Sequence, residues 1–137
     1  MKYNKNVKED ESMTGFVNFT NHPSAKWCEK QLGAAGAYGE IVDVLFPDIS
    51  PDSTNEELLA LADSCVEKIL ELSPAFVLCQ GEAVFSCMVA YKLFSRNIPV
   101  GAAVSRRNVI ESIDTNGCTV KKSVFEFEGF RRFIFAY

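Results

Sequence analysis

The residues best suited to chemistry stand where short apolar runs end. His22, the only histidine among 137 residues, follows the run GFVNFT and precedes Pro23. An imidazole in such a place suits either helix capping or proton transfer near neutral pH. Asn18, Asn21 and Ser24 lie beside it, and Asn and Ser are also common helix caps. His22 is therefore a candidate catalytic residue, and its three polar neighbours are candidate ligand-binding residues.

A second polar group follows a later apolar run. Gln80, Gly81 and Glu82 come directly after Ala75 to Cys79. Gly81 allows close approach to the backbone. Glu82 stands where a carboxylate stabilises a helix N-terminus, or where it could face a ligand. All three are candidate ligand-binding residues.

A third group is basic. Ser105, Arg106 and Arg107 follow the run Ile98 to Val104. A guanidinium pairs with phosphate through two parallel hydrogen bonds, although such arginines are often simply solvated. Ser105 and Arg107 are candidate ligand-binding residues, and Arg106 is a candidate catalytic residue.

The pattern of elements explains why these groups could meet. Short apolar runs alternate with segments of helical spacing, which is typical of βαβ units around a parallel sheet. We predict strands over 15–20, 41–46, 75–79 and 98–104. We predict helices from a cap at Asn21 or His22 to about 37, from a cap at Ser53 or Thr54 to 72, and over 83–95. In an open parallel sheet, ligands bind beyond the carboxyl ends of the strands, and all three groups would lie there.

The last third of the chain predicts a hairpin. Segments 109–113 and 119–127 flank Asp114 to Gly117, and Asn-Gly is a strong hairpin signal. The third helix is apolar nearly all round, which predicts a core or interface helix. The predicted fold class is α/β: a Rossmann-like three-layer sandwich of four mostly parallel strands and three helices, followed by a C-terminal antiparallel β-hairpin. Residues 14–137 would form one domain, and the polar residues 1–13 a disordered lead-in or extension.

Composition excludes several classes of function. The net charge of −4 argues against binding long nucleic acid, and no apolar stretch is long enough to cross a membrane. One histidine and no clustered carboxylates predict neither a metal site nor a metal cofactor. Dinucleotide, P-loop, nucleophile-elbow and zincin motifs are missing, so no cofactor is expected. Five cysteines without a close metal-type pair predict buried, reduced thiols in a cytoplasmic protein.

Several short segments together resemble a known family. They are FVNFTNHPSAKW, GEIVDVLFP, CQGE, AAVSRR and FEFEGFRRF, spread from about Thr14 to Phe133. They are similar to small stand-alone CRISPR-associated proteins with a CARF-like, ring-nuclease-type Rossmann-like domain. The resemblance implies a homodimer that binds a cyclic oligoadenylate second messenger of antiviral defence across its twofold axis, and a metal-independent phosphodiesterase activity in some members.

The resemblance also implies roles by position. The group around His22 would lie near ribose or phosphate, the group around Gly81 would line the centre, and the group around Arg106 would bind phosphate. Two alternatives remain: a non-catalytic domain that binds another small anionic, nucleotide-like ligand, and a dimeric interaction module built on the third helix.

Overall fold

Residues 15–135, which this computed structural model describes, form one mixed five-stranded sheet with helices on both faces. The strands are β1 (Phe16–Thr20), β2 (Ile41–Asp43), β3 (Phe76–Gln80), β4 (Val100–Ile113) and β5 (Thr119–Arg132). Their order is β2-β1-β3-β4-β5; β1 to β4 run parallel, and β5 is antiparallel to β4. A mixed α/β architecture is therefore confirmed. The predicted lead-in, residues 1–13, lies outside the described residues.

The α-helices of the described residues divide between the two faces of the sheet. They are α1 (Glu29–Gly36), α2 (Asn55–Glu71) and α3 (Ala83–Ser95). Helices α2 and α3 pack on the face that carries Val17, Phe19 and Val77. Helix α1 packs through Ala35 on the opposite face, against Phe16 and Phe76. None of the helices within residues 15–135 is both long enough and apolar enough to cross a membrane.

Helix α2 begins as its sequence predicts. The Thr54 hydroxyl accepts a hydrogen bond from the Glu57 backbone N–H at 3.1 Å, and the Glu57 carboxylate accepts one from the Thr54 N–H at 2.9 Å. These two bonds form a capping box. The hydrogen bonds to Thr54 also lower the pKa of Glu57. The structure thus assigns the cap to Thr54 rather than Ser53.

The first predicted helix is wrong in its bounds. Ser24–Lys26 form a single 3-10 turn, Trp27 is extended, and α1 starts only at Glu29 with Cys28 as its N-cap. The Asp43 carboxylate explains the interruption, because Oδ2 accepts the Ser24 N–H at 3.2 Å. Neither Asn21 nor His22 caps a helix.

The second strand is shorter than predicted. It ends at Asp43, and residues 44–50 continue without regular structure. Phe46 in this segment is buried and packs against the rings of Phe19 at 4.9 Å and Phe85 at 5.6 Å. A loop residue that enters the core produces the same local pattern as a strand residue.

The fourth strand and the first arm of the hairpin are one strand. The predicted end at Val104 is wrong, since β4 continues to Ile113 and pairs with β5 from Gly101↔Arg132 to Ile113↔Thr119. A register shift between Val104 and Ser105 is the only local break. The turn itself lies where it was predicted: the Asp114 carboxylate accepts the N–H groups of Asn116 and Cys118, both at 2.9 Å.

Helix α3 is not a fully buried core helix, which leaves the interface alternative, and the burial of the cysteines differs from prediction. Tyr91 of α3 is 55% exposed and Val84 is 50% exposed, so the single chain does not cover this helix on all sides. The cysteines Cys65 and Cys79 are buried, whereas Cys28, Cys87 and Cys118 are exposed, and all five are free thiols. The prediction of buried thiols is thus wrong for three of them.

Candidate functional site

A cavity of about 490 Å³ opens at the carboxyl ends of the central strands. The chain leaves β1 towards one edge of the sheet and leaves β3 towards the other, and such diverging loops leave a crevice between them. Its lining comes from the end of β1 and its loop, the 3-10 turn and α1, the end of β3, and β4: Thr20, Asn21, His22, Pro23, Lys26, Trp27, Cys28, Gln31, Leu78, Gln80, Gly81, Ala103 and Ser105. Five candidates from the sequence meet here: Asn21, His22, Gln80, Gly81 and Ser105.

A buried amide positions the loop after β1. Asn18 is 1% exposed, and its Nδ2 donates to the His22 carbonyl at 2.9 Å and to Asp43 Oδ1 at 3.0 Å. The Thr20 hydroxyl donates to Asn18 Oδ1 at 2.8 Å and accepts from the His22 N–H at 3.1 Å. Asn18 was predicted to bind ligand, but it does not line the cavity. It holds the backbone of His22 in place, so that the imidazole lies exposed at the cavity wall.

Asp43 is a positioning residue that sequence reasoning missed. Its carboxylate joins the β1 strand, through Asn18, to the 3-10 turn, through the Ser24 N–H. Ser24 itself, another candidate ligand residue, does not line the cavity. An acidic residue at the end of β2 was the available signal, but its partners lie 19 and 25 positions away in the chain.

Gln80 spans the gap where β3 and β4 separate. These strands pair only at Val77↔Val100 and Leu78↔Gly101. Beyond that point the Gln80 side-chain oxygen accepts the Ala103 N–H at 2.9 Å. The amide NH₂ of Gln80 is therefore the end left to donate into the cavity.

Four more side chains reach the cavity from the 3-10 turn, the two residues after it and α1. None of the four is a ligand candidate from the sequence. They are Lys26, Trp27, Cys28 and Gln31. Trp27 is half-buried and meets the ring of Phe16 edge-on, with ring centroids 6.0 Å apart. A continuous helix from Ser24 would have given these side chains other directions.

The charges at the cavity favour an anion. Among the described lining residues, Lys26 carries a positive charge, and none is a carboxylate. Trp27 offers a flat aromatic surface, and the amides of Gln31 and Gln80 offer hydrogen bonds. This set suits a small anion that carries a ring.

A second cavity, of about 410 Å³, lies on the other side of the same loops and has the opposite charge. Asn21 lines both cavities, while Asp48 and Glu82 line the second cavity and not the first. Glu82 Oε1 accepts the Phe85 N–H at 2.7 Å and so caps α3. The charge of Glu82 thus serves the helix N-terminus, the alternative to its predicted ligand role.

The fold places the three residues of the basic group in different surroundings. Ser105 lines the first cavity, but Arg106 and Arg107 do not. Arg106 Nε lies 3.1 Å from Glu128 Oε1, and Lys30 Nζ lies 3.3 Å from Glu128 Oε2. The hydrogen bonds from Arg106 and Lys30 lower the pKa of Glu128. Because Arg106 is engaged in this ion pair, its predicted catalytic position is not the one the fold produces.

A third cavity, larger than these two, is an apolar groove between α2 and α3, of about 810 Å³. Its floor is made of apolar side chains, among them Leu59, Val84 and Tyr91. Its rim carries two ion pairs, Lys92–Asp63 at 2.6 Å and Arg96–Glu67 at 3.9 Å. The groove holds none of the candidate site residues, so the smaller polar cavity is the better place for chemistry.

The described residues lack a metal-type cluster, and the buried Cys79 thiol is not a nucleophile. Within 15–135, no three His, Cys, Asp or Glu side chains are grouped closely enough to hold a metal ion. Burial raises the pKa of the Cys79 thiol to about 12, which keeps it protonated at neutral pH.

Comparison with known proteins gives a family. No curated protein and no solved structure matches the chain. Residues 14–131 match the model of the uncharacterized protein MJ1673 family, and the chain therefore belongs to that family.

Proposed function

We propose that this protein binds a cyclic oligoadenylate in the cavity at the carboxyl ends of β1 and β3, and that its sheet is a Rossmann-like doubly wound sheet. The order β2-β1-β3-β4-β5 supports this, because doubly wound sheets of that order bind nucleotides where β1 and β3 adjoin. The observation that carries the proposal is the described cavity lining, which combines Lys26, Trp27 and three side-chain amides without a carboxylate.

Each part of a nucleotide has a counterpart in this lining. A base can stack on Trp27 and bond to the amides of Gln31 or Gln80, since an amide matches a donor next to an acceptor on a base edge. Phosphate is attracted by Lys26. Adenylate in cyclic form is proposed because of the family resemblance carried by the FVNFTNHPSAKW, CQGE and AAVSRR segments.

A second copy of the chain belongs to the proposal. A ring of phosphates has repeated negative charges, and a twofold axis supplies each lysine and each imidazole twice. The apolar groove between α2 and α3 is the proposed contact surface. Its acidic rim lies on α2 and its basic rim on α3, so a twofold axis parallel to the groove would set unlike charges of the two copies against each other.

Cleavage would proceed without metal through the ribose. The 2′-hydroxyl oxygen attacks the adjacent phosphorus, a P–O bond to the 2′ oxygen forms, and the P–O bond to the 5′ oxygen breaks. His22 accepts the 2′-hydroxyl proton, and the imidazolium or water returns a proton to the leaving 5′ oxygen. The products are a linear oligoadenylate with a 2′,3′-cyclic phosphate and a 5′-hydroxyl.

The alternative is an interaction module with no nucleotide ligand, and the half-exposed apolar side chains of α3 favour it. The two proposed functions predict different effects of nucleotides on the melting temperature of the protein. A nucleotide panel raises the melting temperature only if a nucleotide binds. A cytosolic location is part of either function, and the free cysteines support it.

Binding and cleavage of cyclic tetra-adenylate in EDTA test the proposal. Lys26→Ala should weaken binding at least tenfold, and Lys68→Ala, which removes the same charge from exposed α2 surface, should not. His22→Ala should stop cleavage and leave the loop intact, because only the backbone of His22 is bonded to Asn18 and Thr20. Arg106→Ala should change neither property.

Two results would overturn the proposal. Absence of binding by the unmodified protein would favour the interaction module, and equal loss in the Lys26 and Lys68 variants would exclude the cavity. Binding without cleavage would support a sensor or a protein that sequesters the messenger.

A further inference from the structure

The paired strands β4 and β5 continue past the edge of the sheet where the cavity lies. Strand β4 runs parallel to β3 but pairs with it only as far as Leu78↔Gly101. From Ala102 to Ile113 it is paired with β5 alone. We call residues 105–127 the ribbon. Because β4 is parallel to the strands whose carboxyl ends form the cavity, the ribbon leaves the sheet beside the cavity.

One face of the ribbon continues the cavity wall. Ser105 lines the cavity, and successive side chains of a strand alternate between its two faces. Arg107 therefore lies on the same face as Ser105, about 7 Å further along. Phe127 pairs with Ser105 and Phe125 pairs with Arg107. The register shift precedes Ser105, so it does not disturb this alternation.

Two aromatic side chains on this face differ in exposure to solvent. Phe127 is 8% exposed and packs against the Phe130 ring, with centroids 5.0 Å apart. Phe125 is 68% exposed. The first aromatic ring beyond the cavity on this face is thus open to a ligand.

Arg107 stands beside that ring, and none of the ion pairs within residues 15–135 includes it. Its Nε and Nη2 both donate to the Ser123 hydroxyl, at 3.1 and 2.9 Å. These bonds hold the guanidinium in place but do not neutralise it, unlike the carboxylate that pairs with Arg106. Further along the face, Lys121 and Glu111 pair with each other at 3.6 Å. Within the described part of the chain, the free charge near Phe125 is therefore that of Arg107, and it attracts an anion.

We infer that Phe125 and Arg107 form a second nucleotide subsite, which takes the base and phosphate next to those held in the cavity. An exposed aromatic ring beside a guanidinium is the pairing by which proteins hold successive nucleotides of a single strand. The inference rests on the proposed function and adds to it that the ligand contains at least two linked nucleotides.

A length series tests the subsite: affinities for AMP, linear di-adenylate and cyclic tetra-adenylate are measured by calorimetry. The unmodified protein should bind di-adenylate more tightly than AMP. Phe125→Ala should remove that gain, about 5- to 150-fold for one stacked base, and should leave the affinity for AMP unchanged. Phe125→Trp should keep the gain. Arg107→Ala should weaken di-adenylate binding and not AMP binding.

Variants on the other ribbon face are the matched controls. Ile110 is also an exposed apolar residue, but alternation places it on the opposite face, and Arg106 is the adjacent arginine. Ile110→Ala and Arg106→Ala should preserve the length dependence. Equal affinities of the Phe125→Ala and unmodified proteins for di-adenylate would overturn the subsite and leave the proposed function standing.

Two other outcomes would also overturn it. Failure of the unmodified protein to bind any adenylate would remove the proposed function and the subsite together. A shift of the ligand-free Phe125→Ala protein to a lower mass in sedimentation, with unchanged nucleotide affinities, would assign this face to a second copy of the chain.

Discussion

Gly81 links packing in the core to the shape of the site. A Cβ atom built on Gly81 would lie 2.3 Å from Cζ of the Phe46 ring. Phe46 is buried between Phe19 and Phe85, so it has little room to move. The core leaves no space for a side chain at position 81. This requirement for glycine holds whatever ligand the cavity takes.

We expect Gly81→Ala to destabilise the protein by about 1–3 kcal/mol, the usual cost of overpacking, because Phe46 must shift. Urea unfolding followed by circular dichroism measures this change. Gly33→Ala is the matched control: its added methyl group meets no atom within 4 Å, and alanine in the interior of α1 should stabilise the protein by up to about 1 kcal/mol. A neutral Gly81→Ala would show that Phe46 can be displaced without cost.

At the scale of elements, the helices differ in how they begin. Helix α2 has a complete capping box and follows its local sequence, whereas α1 is short, is capped by a cysteine that makes no side-chain hydrogen bond, and is preceded by a turn that Asp43 holds. Local signals thus define the start of α2, and a contact with another strand defines the start of α1.

We expect Thr54→Ala to lower the free energy of unfolding by about 1 kcal/mol, because the Glu57 N–H then loses its side-chain acceptor. Ser53→Ala should have almost no effect, since the structure assigns the cap to its neighbour. Paired urea titrations of the two variants measure the difference. Equal losses would mean that Ser53 shares the capping role.

At the scale of the whole molecule, the apolar groove of α2 and α3 is a surface that one chain leaves uncovered. Tyr91 and Val84 are each at least half exposed, and the charged rims are self-complementary. A C2 dimer requires such a self-complementary surface.

We expect Tyr91→Glu to weaken self-association at least tenfold, because the twofold contact would then bury a carboxylate on each side. Sedimentation velocity over a concentration series measures the association. Leu45→Glu is the control, since Leu45 is 87% exposed and lies outside the groove. If the unmodified protein sediments as a monomer at all concentrations, the groove is not an interface between copies.

The sequence by itself determined those features that depend on neighbours along the chain. The capping box and Pro74 bracket α2, a continuous apolar run marks β3, and the start and end of α3 agree with prediction. Parallel strands end at one edge, so residues after different strands were expected to meet. Asn21, His22, Gln80, Gly81 and Ser105 do meet there.

Only the tertiary structure decided the rest. Asp43 reaches Ser24 across 19 positions and so turns Lys26 and Trp27 towards the cavity. Glu128 reaches Arg106 across 22 positions and removes it from the site. The physical reason is the same in both cases. A carboxylate meets a distant donor only when the fold places the elements that carry them side by side, and no spacing along the chain encodes that distance.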